Sequence, residues 1–380
     1  MNTNEEIEKR HRYLEAGEKR ALALQNRGPL RYEASGELAQ DIRDAYERYG
    51  FYIFEGVVSE QEVSEVEVQL NEVIDRAPAS KNGVLDKEGR PALGIDHKRP
   101  LYIWARPLSD PLGGTSILGG RHAVRMEEPT PREDAPKVTV CVLQYTFGVM
   151  DAALRLSAHP GMLRVAEAFA GPDFVPYNDN FHVKEPGLGS SVSWHQDGIT
   201  HWEHPNWHPG IHGFNLMVQL YRTTPVNALW ALPGTHRTGR VDLASLAAQS
   251  GGSDRLPEAV PVLCERGDAV ICNRQLVHGS FANDSPDRRV TFIWGFFPRD
   301  AVLGVENEQG IDYQRDYYDE ARIEERMRIV QIAIDARRRR WPKEAPYQYA
   351  PFLGREAEAR WSPELSGTMF RDYGEGRIIL

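Results

Sequence analysis

SVSWHQDG, residues 191–198, sets an imidazole and a carboxylate, His195 and Asp197, one residue apart. If the run is a β-strand, side chains at i and i+2 share a face, so the two groups can converge on one point. Two donors do not make a metal site. With twelve histidines in 380 residues, about one His-x-Asp is expected by chance. The surroundings therefore decide whether the pair is a clamp or an ordinary neighbour pair.

Outward from this stretch the texture is that of a β protein. KVTVCVLQYTF, DFVPYNDNFHVK, GFNLMVQLY, NALWALPG, AVPVL, DAVICN and RRVTFIWGFF are short, β-branched or aromatic, and separated by Gly, Pro, Asn and Asp. About eight such strands between 137 and 298 point to a sandwich or jelly roll. One interruption, DAALRLSAHPGMLRVAEAFAG (151–171), reads as helical.

The flanks are helical. Leu38, Ile42, Ala45 and Tyr49 recur at helical spacing up to Gly50, a C-terminal cap, and FYIFEGVV follows as a strand. Ser59 and Glu62 then form a capping box, with Val58 and Val63 as its hydrophobic staple. Near the end, Ile323, Met327, Val330 and Ile334 share one helical face. Between these lies a long stretch rich in Pro, Gly and charge, of the kind that serves as a lid or binding excursion. The expected organisation is one domain over 1–380. It has a helical flank with one strand (1–80), a lid or insert (81–135), a β core (136–300) and a C-terminal helix with a wrapping tail (301–380).

Composition narrows the partners. Forty-five Lys and Arg against 55 Asp and Glu give a net charge of −10, which disfavours a broad nucleic-acid or anionic-membrane surface. Three cysteines without CxxC spacing exclude a disulfide framework and fit a reducing compartment. The amino terminus is charged where a secretory signal would be apolar, and no run of about 18 apolar residues occurs. A soluble cytoplasmic protein is expected.

A third donor is available in His278 of NRQLVHGSF. Two neutral imidazoles and a carboxylate on one face of a metal, with the opposite positions open, suit non-haem iron(II) and oxygen chemistry. Such iron commonly uses a 2-oxoacid, whose far carboxylate wants a guanidinium at fixed reach. Arg289 is chosen for that role, although alternation alone does not say whether Arg288 or Arg289 turns inward.

In the order YIFEGVVSEQEV, VKEPG before WHQD, NALWALPGTHR, GDAVICN and HGSFANDSPDRR, over roughly residues 45–300, the chain resembles the phytanoyl-CoA dioxygenase family of iron(II)- and 2-oxoglutarate-dependent oxygenases. The resemblance implies a mainly β, α+β fold with a double-stranded β-helix (jelly-roll) core and flanking helices. It implies Fe(II) on His195, Asp197 and His278, with 2-oxoglutarate and O2 as cosubstrates. It puts the distal carboxylate of 2-oxoglutarate on Arg289 and Lys184 near the cosubstrate. His182 and Asn180 share alternate positions with Lys184 and are read as lining the interior, His182 near the cosubstrate and Asn180 toward the substrate. Trp202, in the histidine-rich loop HWEHPNWHPGIH, is read as a substrate contact. The sequence departs from the family where Asn227 is followed by Ala228 instead of Gly, and Asp197 stands where halogenating relatives carry Gly or Ala. The implied activity is hydroxylation of an unactivated C–H bond of a small molecule, with succinate and CO2 formed. Desaturation or cyclisation by the same chemistry is an alternative, and so is a non-catalytic, cupin-like metal-binding jelly roll.

Overall fold

The computed structural model describes residues 3–197, 213–309 and 314–365. Its elements begin with α1 (Thr3–Ala23), β1 (Arg27–Gly28), α2 (Gln40–Tyr49), β2 (Phe51–Phe54) and α3 (Glu60–Asp75), followed by β3 (Tyr102–Ala105) and β4 (Thr139–Gln144). Two helices, α4 (Asp151–Ser157) and α5 (Pro160–Ala170), lead into β5 (Val175–Lys184), β6 (Val192–His195), β7 (Phe214–Gln219) and β8 (Trp230–Ala231). After α6 (Leu243–Gln249) come β9 (Val260–Pro261), β10 (Ala269–Asn273), β11 (His278–Ser280) and β12 (Arg289–Phe297). Next come α7 (Arg299–Val302), a hairpin of β13 (Glu306–Gln309) and β14 (Gln314–Tyr317), and α8 (Glu320–Arg340), followed by short helical turns at Ala350–Phe352 and Glu356–Glu358.

Two sheets form the body. The larger runs β1-β2-β10-β7-β12-β5-β4-β3 and the smaller β6-β11-β8-β9. From β5 to β12 the chain alternates between them: β5, β7, β10 and β12 lie side by side in the larger sheet, while β6, β8, β9 and β11 make up the smaller. This back-and-forth winding is the double-stranded β-helix.

Alternation along the strands explains the layers. In β12, Val290, Phe292, Trp294 and Phe296 join Leu143, Phe181, Val183, Leu216 and Val218 in one buried cluster with Leu154, Leu163, Met327 and Val330 of the helices. That face of the larger sheet is thus covered by α4, α5 and α8. The opposite face carries Arg289, Thr291 and Ile293, in register with Lys184, His182 and Asn180 of β5. Part of the space between the sheets is apolar, with Phe51, Ile53, Met217, Val270 and Cys272 against Ala231 and Val260. The outside of the smaller sheet is sealed by α1. There a Cβ on Gly17 would lie 2.4 Å from the Trp230 ring, so the helix sits flush on that indole only because residue 17 has no side chain.

The local signals resolve in detail. Gly50 caps α2 in the left-handed conformation, φ 83°, and the Ser59 side chain accepts from the Glu62 amide at the start of α3. The capping box is one-sided, however: the Glu62 carboxylate is engaged by Arg337 of α8. The helical stretch 151–171 divides into two, because His159 and Pro160 break it between α4 and α5. Within 81–135, Tyr102–Ala105 is an edge strand of the larger sheet, whereas the segment after it returns to the mouth of the β-helix.

Candidate metal centre

His195 ends β6 and His278 begins β11, and the two are direct cross-strand partners. Register alone brings the imidazoles together, with ring centroids 4.2 Å apart. Asp197, two residues past the end of β6, places Oδ1 3.5 Å from His195 Nε2 and Oδ2 4.0 Å from His278 Nε2. All three donors lie within 4.8 Å of one another. This is a spacing a single cation can bridge.

The second atoms of each side chain fix which lone pairs face inward. His195 Nδ1 lies 2.9 Å from the Ser193 carbonyl and His278 Nδ1 2.8 Å from the Leu276 carbonyl. A carbonyl can only accept, so both Nδ1 atoms carry the proton and both Nε2 atoms present bare lone pairs. Burial, reinforced by His195, pushes the His278 imidazole down to about 4. Burial would raise the Asp197 carboxyl, but the neighbouring His195, His278 and Arg274 hold it well below the usual carboxylate range. Its backbone N–H donates to the Arg274 carbonyl at 2.8 Å, and Asn215 Nδ2 donates to Oδ2 at 3.1 Å. The donor set is two neutral imidazoles and one carboxylate, which fits a divalent metal of intermediate softness.

Arg289, 2 % exposed, opens β12 opposite Lys184. Its Nε is buried without a hydrogen-bond partner, and among the described residues no carboxylate pairs with it. Burial lowers this guanidinium to about 10. Arg288 points the other way and is engaged by Glu185 at 2.8 Å, Asn71 and Tyr221. Lys184 is buried and donates to the Phe281 carbonyl at 2.5 Å; burial and Arg289 hold its ammonium well below the usual lysine range. His182 is pushed down to about 3 by burial and by the Arg289 and Lys184 charges, and so is neutral. Asn180, further along the same face, has a buried Oδ1 without a partner. Trp202 lies outside the described residues.

Some neighbours were not singled out from sequence. Thr291 and Gln219 form a buried hydrogen bond of 2.7 Å beside Arg289. From the segment after β3, the His122 ring stacks on His195, with centroids 4.4 Å apart, and Arg121 Nη1 lies 3.8 Å from Asp197 Oδ1. Nothing periodic marks Arg121 and His122, since they sit in irregular chain about seventy residues upstream.

Residues 117–291 match the family model of phytanoyl-CoA dioxygenase, a span that includes the three donors and Arg289. This stretch is similar to the phytanoyl-CoA dioxygenase family. Its curated relatives include phytanoyl-CoA dioxygenase 1 of Oryza sativa subsp. japonica, 34% identical over 113 residues, and phytanoyl-CoA dioxygenase of Arabidopsis thaliana, 31% identical over the same length. Each match covers 28% of this chain and 38% of the relative, so the chain spans well under half the length of the family members it matches. Among solved structures, EctD from S. alaskensis with 2-oxoglutarate and 5-hydroxyectoine is 18% identical, covering 72% of this chain and 81% of that one at a TM-score of 0.49. The α-ketoglutarate-dependent carbocyclase SnoK from nogalamycin biosynthesis is also 18% identical, covering 72% and 87% at 0.44.

Proposed function

We propose that this chain is a non-haem iron(II)- and 2-oxoglutarate-dependent dioxygenase that hydroxylates an unactivated C–H bond of a small molecule. The observation that carries this reading is the pairing of an open His-Asp-His cluster with a buried, unpartnered guanidinium on the same inner surface. A buried cation without a counterion is costly unless a ligand supplies the charge. A dicarboxylate with one end at the cluster and the other at Arg289 would supply it.

In this reading His195, Asp197 and His278 hold the iron through two Nε2 atoms and a carboxylate oxygen. When bound, iron(II) with 2-oxoglutarate supplies dioxygen reduction coupled to release of succinate and CO2. The chain's own contributions are positional. Arg289 offers paired N–H donors to the distal carboxylate of 2-oxoglutarate. Lys184, tethered to the Phe281 carbonyl, adds positive field beside it. His182, neutral, contributes a polar wall near the cosubstrate without adding charge, and Asn180 presents an unspent amide oxygen toward the substrate. The two Nδ1–H bonds to carbonyls keep the imidazoles in the tautomer a metal needs.

The experiment is a succinate assay on the purified full-length chain with iron(II), 2-oxoglutarate and a panel of small molecules, followed by mass analysis of any compound that stimulates turnover. A gain of one oxygen in the hit supports hydroxylation, whereas a loss of two hydrogens would move the reading to desaturation or cyclisation.

A further inference from the structure

Arg121 is aimed, not merely near. The Ser193 carbonyl and Oγ both lie 3.1 Å from His122 Nδ1. Because that carbonyl accepts, the His122 proton is on Nδ1 and Nε2 is a bare acceptor, which Arg121 Nε–H fills at 3.4 Å. His122 is in turn stacked on His195, so the guanidinium rests on a platform tied to β6. The backbone leading into it is unusual: Leu118 (φ 52°), Gly119 (φ 66°) and Gly120 (φ 72°) are left-handed in succession. A left-handed leucine is strained, and strain of this kind clusters where a ligand-binding group must be presented.

The outer nitrogens of Arg121 are unspent. At 3.8 Å the approach to Asp197 is too long for a hydrogen bond, and among the described residues Nη1 and Nη2 have no hydrogen-bond acceptor. The side chain is 22% exposed, and the exposed part faces a cavity of about 340 Å3 that Arg240 and Gln196 also line, within the range of small-molecule sites. Arg240 has no acidic partner among the described residues. Asp242, the acid in the lining, is committed as the cap of α6, accepting from Ser245 N at 3.0 Å and Oγ at 2.7 Å. Gln196 is committed too: its amide donates to the Gly239 and Gln275 carbonyls and accepts from Val241 N, making a stiff wall. In a chain of net charge −10, this cavity, which reaches the cluster through Gln196 and through Arg121 at 3.8 Å from Asp197, is lined by two guanidinium groups with no hydrogen-bonded acid among the described residues.

We infer that this cavity receives the substrate and that Arg121 binds an anionic oxygen group on it, a carboxylate or a phosphate, with Arg240 at the outer end. The inference rests on the oxygenase reading for what the bound molecule does, though not for its binding. Arg121 is then a specificity residue: its grip on the anion sets which C–H bond of the substrate faces the cluster.

The test measures thermal unfolding of the full-length protein against inorganic phosphate, propionate and, at matched ionic strength, chloride. Phosphate or propionate is expected to raise the midpoint saturably in wild type and in Arg289→Gln. The apparent affinity should fall at least tenfold in Arg121→Gln and by an intermediate factor in Arg121→Lys. The tighter of the two anions identifies the group recognised. The inference is overturned if Arg121→Gln keeps the wild-type affinity, or if neither anion exceeds chloride. The oxygenase reading is scored separately, by the stabilisation that Mn(II) plus 2-oxoglutarate gives wild type and Arg121→Gln but not His278→Ala.

Discussion

Among single residues, the decisive ones are charges that are buried before any ligand arrives. Arg289 is the clearest case, a guanidinium inside a β-helix with an orphaned Nε. Truncating one member of a buried, hydrogen-bonded charge pair costs about 2–5 kcal/mol, so Arg289→Gln should weaken 2-oxoglutarate binding by about 30-fold or more. Mn(II) binding should stay within about twofold, since Arg289 touches none of the three donors. Calorimetric titration of each ligand checks this, and equal losses of both would mean that the substitution had damaged the fold instead. The motif spacing chose Arg289, but alternation alone did not separate it from Arg288, because period two gives two faces without saying which is inside. What separates them is tertiary: Glu185, Asn71 and Tyr221 wait on one side for Arg288, and on the other no described residue of opposite charge waits for Arg289.

At the scale of elements, β5 shows how one strand serves two purposes. Its inner positions Asn180, His182 and Lys184 face the site, while Phe181 and Val183 pack under the helices. Among those outer positions sits Asp179, fully buried, with Oδ2 accepting from Thr146 N at 2.7 Å and from Thr146 Oγ1. Burial outweighs these bonds and lifts its carboxyl to about 7, above the ordinary 3.8. A raised carboxyl stabilises the fold fully below the unfolded value and loses that contribution as pH rises through the folded one. Stability should therefore drop by on the order of 4 kcal/mol from pH 4 to pH 7.5 on account of this group. Asp179→Asn should flatten that limb of a urea-denaturation profile; parallel curves would show that Asp179 is ionised in the native state. The strands, the turn glycines and the start of α3 were legible because they are written in local alternation and capping residues. Asp179 was not, since a carboxylate in a strand reads as an exposed position until a helix covers it. Arg121 and His122 were hidden for the opposite reason: irregular chain carries no period, and their place beside His195 comes from a crossing of segments far apart in sequence.

For the molecule as a whole, the β-helix is held in a helical jacket whose last member, α8, is tied back to the first third of the chain. Arg337 of α8 binds the buried Glu62 of α3 and also Glu344, at 2.6 Å. Removing one partner of a buried pair costs about 3–5 kcal/mol. With Glu344 still in place, Glu62→Gln should lose about 3 kcal/mol in urea denaturation while leaving Mn(II) affinity unchanged, because the pair lies outside the inner surface of the β-helix. The jacket thus belongs to stability and the inner face to chemistry. That division is sharpest in a single spectrum: the visible absorption of the anaerobic protein with iron(II), before and after 2-oxoglutarate. Chelation of iron by the 2-oxoacid at the His-Asp-His cluster should produce a weak charge-transfer band that is lost in His278→Ala. A wild-type spectrum without that band, or a band that survives unchanged in His278→Ala, would contradict the assignment of His195, Asp197 and His278 as the iron site.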